Sequence, residues 1–234
     1  MNPLRLFLGF CMLAPLGFPA DLTGFPFQDE TLRYNVNWPS GLTLGEVILT
    51  AHKGQGGGWT FEGNLNVGVP GLPIADKYKS TVTAEYCSVE LNREISRGSK
   101  KNTEKTTFDQ KGGHATRQTL FPAGGGKTEL DIPSCARDAL AFQYYARKEL
   151  GQGRMPAPGK IFFGGPYQLK MEYTGAMNIP FGGKQTTTDH INVSVKGAKA
   201  DSTFEVFYAR DAARTPLLIR VPISLGTITM ELTK

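Results

Sequence analysis

Along most of the chain, apolar and polar residues alternate with a period of two. In Thr31–Trp38 the residues Leu32, Tyr34, Val36 and Trp38 share one face, while Arg33, Asn35 and Asn37 share the other. That is the pattern of a half-buried strand. The same rhythm predicts strands over Glu46–His52, Trp59–Val69, Lys77–Tyr86, Val89–Gly98, Glu104–Asp109 and His114–Phe121. Further strands are predicted over Lys160–Phe163, Tyr167–Tyr173, Thr186–Lys196, Ser202–Ala209, Leu217–Val221 and Thr227–Leu232. Glycine-rich or polar stretches such as 54–58, 99–102, 111–113 and 124–128 separate them as turns. The segment 69–73 holds Pro70 and Pro73, which cannot serve a central strand. It is expected to form an exposed or lid-like loop with an apolar tip. Many short strands parted by turns predict a mostly β fold, an antiparallel curved sheet forming a barrel or half-barrel.

One segment breaks the rhythm. Residues 133–151 carry apolar residues at helical spacing, with Ala136, Leu140 and Tyr144 on one face and Ala139, Phe142 and Ala146 on another. Ser134 is the expected N-cap and Gly151 the expected stop, with Asp138 near the start and Arg147 and Lys148 near the end to suit the helix dipole. So wide an apolar surface predicts one main α-helix buried against the sheet.

The N-terminus has a different logic. Met1–Arg5 is a short positive start, Leu6–Leu16 an apolar run, and Ala20 a small residue before the first acid, Asp21. This is the layout of an export signal, too short to anchor the chain across a bilayer. Residues 1–20 are therefore expected to be removed, leaving a single β-rich domain over 21–234 with no transmembrane span. Cys11 lies inside the apolar run after the bulky Phe10, which argues against lipidation. Cleavage leaves Cys87 and Cys135, and an exported chain with two cysteines favours a disulfide over two buried thiols. Closing that loop is worth roughly 4 kcal/mol.

Composition narrows the function by exclusion. Twenty-six basic and 21 acidic residues give a formal charge of +5, and the two signs alternate without a block that would suit nucleic acid or a polybasic membrane patch. His52, His114 and His190 have no metal-ligand spacing with the cysteines, so no metal and no cofactor is expected. Gly124-Gly125-Gly126-Lys127-Thr128 lacks both the earlier glycine and the following helix of a phosphate loop. Asp189-His190 offers a carboxylate and a base, but no serine stands in a nucleophile elbow, and a surface pair is the better reading. Asn192-Val193-Ser194 matches the glycosylation triplet by chance. No catalytic set emerges, and the chain is not expected to be an enzyme.

Two groups remain as candidate ligand contacts. Asp138, Tyr144, Tyr145 and Arg147, with Arg137, either line the mouth of a pocket under the helix or satisfy the core. Leu72 and Ile74, with Val67, Val69, Pro73, Phe162, Phe163, Ile179 and Phe181, either mark an opening into the barrel or are core themselves.

The run Glu30–Trp38, the stretch Cys135–Leu140 continuing to Tyr144-Tyr145-Ala146-Arg147, and the ending Arg214-Thr215-Pro216 with Gly226 and Glu231-Leu232 resemble the exported bacterial family known as domain of unknown function 3108. The resemblance implies a periplasmic or exported β-rich protein of no established activity, and it transfers no catalytic residue. The expectation is an envelope protein, periplasmic or secreted from a bacterium, that binds an apolar ligand such as a lipid. The alternative is an assembly protein that binds an envelope partner, with a hydrolase a distant third.

Overall fold

The computed structural model describes residues 29–54, 56–69, 72–198 and 201–233. A first antiparallel meander runs through Asp29–Asn37 (β1), Thr43–Lys53 (β2), Trp59–Val69 (β3), Leu72–Val82 (β4), Ser88–Arg97 (β5), Lys100–Asp109 (β6), His114–Phe121 (β7) and Lys127–Asp131 (β8). The two-residue strand Arg137–Asp138 (β9) leads into the helix Ala139–Gly151 (α1). A second meander follows through Gly159–Phe162 (β10), Pro166–Phe181 (β11), Lys184–Gly197 (β12), Asp201–Ala209 (β13), Pro216–Ile223 (β14) and Gly226–Leu232 (β15).

The two meanders join because β15 pairs with β1, placing Tyr34 opposite Leu232 and Val36 opposite Met230. The result is one fifteen-stranded sheet with β8 and β9 at its edges. The sheet does not close; it curls around α1. Its far edge comes to rest against β4 and β5, where the Ser88 amide donates to the Ala136 carbonyl at 2.9 Å.

Alternation decides which side chains enter the curl. Leu32, Tyr34 and Val36 of β1, Val47, Leu49 and Ala51 of β2, and Trp59, Phe61 and Val67 of β3 are buried there against Leu140, Ala141 and Tyr144 of α1. Phe61 and Tyr144 stack with centroids 4.0 Å apart, and Trp59 and Tyr86 extend the stack. This half of the concave side is filled.

Several local expectations are corrected. The helix begins at Ala139, five residues after Ser134, and its N-cap is Asp138. Residues before it are committed elsewhere: Cys135 takes a left-handed φ of 54°, and Arg137 and Asp138 pair with Ile161 and Phe162 of β10. At the other end Gly151 is the last helical residue, Gln152 the cap, and Gly153 takes the left-handed turn with φ 72°. Of the segment expected as a lid-like loop, Val69, Leu72 and Pro73 belong to strands: Val69 pairs with Leu72 and Gly68 with Pro73 between β3 and β4. Pro73 lies one residue into its strand, where a missing N–H costs little. Lys127 and Thr128 belong to β8, and Lys100, Lys101 and Asn102 to β6, rather than to turns, and β11 runs on past Tyr173 to Phe181 through a bulge at Thr174. The expected export segment with Cys11 lies outside the described residues, as do Pro70 and Gly71.

Candidate functional site

The helix has two differently dressed faces. Leu140, Ala141 and Tyr144 plug the filled half. Ala139, Phe142, Gln143 and Ala146 look toward β10–β14, and there a half-enclosed cavity of about 250 Å³ remains. Its opposite wall is built by Leu169 and Met171 of β11, Val193 and Val195 of β12, Phe204, Val206 and Tyr208 of β13 and Ile219 of β14. These fall on one face because β12 places Val193 opposite both Met171 and Phe204. The space has a simple origin: two of the four helix residues facing it are alanines, Ala139 and Ala146, whose short side chains pack on the sheet cluster of Ile161, Leu169, Met171, Val193, Val206 and Tyr208 without filling the gap beside them.

Chemically the cavity is plain. No charged side chain lines it, and Gln143 and Tyr208 bring the polar groups. Burial pushes the Tyr208 phenol up to about 12, against the opposing pull of Arg147, so it is a neutral wall at physiological pH. The volume lies just under the roughly 300–1,000 Å³ of drug-sized sites, which suits a slender ligand.

The six residues expected to contact ligand stand outside this wall. Arg147 is fully buried: its two Nη atoms donate to the Glu30 carboxylate of β1 at 2.7 and 2.8 Å, and its Nε donates to the Ala213 carbonyl at 2.9 Å. Tyr144 belongs to the aromatic stack. Tyr145 lies under the Arg137 guanidinium, 3.7 Å from its ring centroid. Leu72 and Ile74 sit at the start of β4, with Ile74 opposite Val67. The other apolar candidates scatter too. Phe162 packs with Leu91 and Phe108, whereas Ile179 and Phe181 pack with Phe207, Leu217 and Leu218.

Asp138 is a buried clasp. It accepts from the Leu140 and Ala141 amides at 2.9 and 3.0 Å, and from the Ser80 and Ser88 hydroxyls at 2.5 and 2.6 Å. Burial raises its carboxyl above the usual aspartate range, while these four donors pull it back. Asp138→Ala is expected to cost roughly 3 kcal/mol in unfolding free energy, the sum of a lost N-cap and two stranded buried hydroxyls. Asp138→Asn keeps an acceptor for both amides and should retain most of that; equal losses in the two variants would contradict the clasp. The raised folded value has a sign. The native state keeps this proton to higher pH than the unfolded chain, so the contribution is complete below about pH 4 and is lost as pH rises through the folded value. Asp138→Asn should flatten that part of the stability curve.

Elsewhere the ionisable groups are matched with each other. Buried Asp76 accepts from the Ser96 amide, the Tyr78 hydroxyl and the Arg97 guanidinium, and Arg93 meets Glu104 at 2.8 Å. Asp189 is held by Arg210 and Arg214, while His190 stacks on Phe207 and takes Thr174 at its Nδ1. Cys87 and Cys135 form a disulfide that ties the β4–β5 turn to the approach to α1.

Fold and cavity together define a class: an open, curved antiparallel β protein wound on one helix, filled on one side of it and hollow on the other. The chain belongs to the family described as protein of unknown function DUF3108, whose profile matches residues 33–233. Among solved structures it is similar to the β-barrel-like protein of domain of unknown function DUF1849 from Brucella abortus. The TM-score is 0.62 at 8% identity, over 87% of this chain and 95% of that one, and the likeness is one of fold. The lipoprotein LppX of Mycobacterium tuberculosis aligns over 87% of this chain and 85% of its own at 12% identity, with a TM-score of 0.29. A search of curated proteins finds no match.

Proposed function

We propose that this protein is an exported envelope protein, periplasmic or secreted, that holds an apolar ligand such as a lipid and performs no catalysis. The observation that carries this reading is the half-enclosed cavity between α1 and β10–β14, apolar on both walls. Export is supported by the N-terminal sequence pattern. The absence of charge from the lining suits an alkyl chain whose polar head stays outside.

The test is occupancy with the cavity open and filled. Native mass spectrometry of protein taken from its own envelope, followed by organic extraction, should return a lipid mass. Ala146→Phe puts a ring where the helix now leaves space and should abolish that mass while leaving the fold intact by thermal melting. Val193→Asp should abolish it as well, by placing a charge on the opposite wall. An empty native protein that also binds a fluorescent fatty acid equally well with and without Ala146→Phe sinks the proposal. If such a protein instead retains a specific envelope partner, the assembly reading takes its place.

A further inference from the structure

Alternate turns of an antiparallel meander emerge at the same end of the sheet. The turns β1–β2, β3–β4, β5–β6 and β7–β8 share one end, and β14–β15 joins them because β14 lies two strands from β1. Neighbouring turns touch along this rim. The Gly98 amide donates to the Pro73 carbonyl at 2.8 Å, and a Cβ on Gly226 would strike the Pro39 ring at 2.8 Å.

The rim is dressed unlike the rest of the surface. Leu42, Leu72, Leu120, Phe121 and Leu225 lie on it, between 42% and 71% exposed. The opposite end carries fewer among the described residues: Val89 beside the β4–β5 turn and Met155 in the connection from α1 to β10. Trp38 sits half-buried in the β1–β2 turn, the position of an interfacial aromatic. Rim segments 38–43, 97–101, 120–127 and 223–227 contain Arg97, Lys100, Lys101 and Lys127 and no acid, and the one acid beside them is Asp201, which opens β13 at the same end. Arg97 answers buried Asp76, and Lys127 reaches Glu129, so the charge offered outward is that of Lys100 and Lys101.

We propose that this rim docks on an anionic lipid surface, its apolar turn tips entering the headgroup layer and Lys100 and Lys101 facing lipid phosphates. The spacing favours a bilayer over a protein. A protein interface needs a contiguous, tightly packed core, whereas these tips are single side chains on separate turns. A fluid surface accepts them one by one, with basic residues drawn to its negative potential. The docking does not depend on the cavity, but it places the cavity well. Leu169, Val195 and Phe204 lie two or three residues from the same-end termini of β11, β12 and β13.

The chain has two tryptophans, so Trp59→Phe leaves Trp38 as a reporter on the rim itself, insensitive to attachment through residues 1–28. Vesicles of brominated phosphatidylglycerol should quench Trp38, and brominated phosphatidylcholine should not. Leu42→Asp with Leu225→Asp, and separately Lys100→Glu with Lys101→Glu, should each weaken that binding by roughly tenfold or more. Leu42 and Leu225 are exposed turn positions and Lys100 and Lys101 exposed ones at the start of β6, so melting temperatures should hold. Flotation of chains retaining Trp59 repeats the comparison if that substitution disturbs the core. Trp38 left unquenched by phosphatidylglycerol, or quenched equally in the rim variants, overturns the proposal. Capture of a protein partner lost in the same variants, with no quenching, overturns it in favour of a protein surface.

Discussion

Replacing Arg147 by alanine is expected to destabilise the protein by roughly 3–5 kcal/mol, the cost of leaving one charge of a buried ion pair alone. The guanidinium is fully buried, and the Glu30 carboxylate that clasps it with both oxygens is nearly so. Removing the cation strands Glu30 and the Ala213 carbonyl, and opens a hole beside Tyr144, whose ring lies 5.3 Å from the guanidinium. The site matters because three distant pieces of chain meet there: α1, the first strand, and the loop between β13 and β14. Arg147→Lys should rescue only part of the loss, since an ammonium cannot make the bidentate pair and reach the carbonyl as well. Replacing Arg147 and Glu30 together by methionine should recover stability relative to Arg147→Ala, because no charge is then left unpaired. Denaturant unfolding of the three variants beside the unaltered protein checks this. A loss under about 1 kcal/mol for Arg147→Ala would place the pair among those that contribute little.

Breaking the Cys87–Cys135 disulfide is expected to cost about 4 kcal/mol, from the entropy regained by a loop of this length in the unfolded chain. The residues lie 48 apart, and the loop they close holds β5, β6, β7 and β8. The bond also has a local task. It joins the β4–β5 turn, where Tyr86 takes a φ of 64°, to Cys135 at 54°, two backbone conformations that few side chains adopt freely. Next to it, Ser88 bonds Ala136 and Gln110 bonds both carbonyls, so the approach to α1 is positioned before the helix begins. Cys87→Ser with Cys135→Ser should lower the unfolding midpoint in the same measure as reduction of the native protein. In unreduced native protein neither cysteine should alkylate. A midpoint indifferent to reductant would contradict the contribution assigned to the bond.

Much of the secondary structure was legible because a strand's period is local. Thirteen alternating segments predicted strands, and each overlaps a strand of the sheet. The misreadings share a cause. Ser134 has the chemistry of an N-cap, but Asp138 is the N-cap, because Ser80 and Ser88 arrive from β4 and β5 to fix its carboxylate. Residues 69–73 read as a loop because proline penalises a strand, yet strands on both sides hold the hairpin in register. Arg147 and Tyr144 stood out as polar groups on an apolar helix. What distinguishes a structural network from a ligand contact is Glu30, 117 residues away in sequence. The cavity was missed for a related reason. Alanine at positions 139 and 146 reads as a good helix former, and only its place facing the sheet shows that so short a side chain leaves space beside it.

The sequence by itself determined what depends on neighbours along the chain: the period-two strands, the single amphipathic helix, the family motifs and the two cysteines fit to pair. Tertiary structure alone decided that the sheet stays open, that the helix seals one half of it and leaves the other hollow, and that scattered turns gather leucines and lysines on one rim. Those outcomes rest on strand pairing and side-chain packing between residues tens to hundreds of positions apart, which alternation along the chain does not encode.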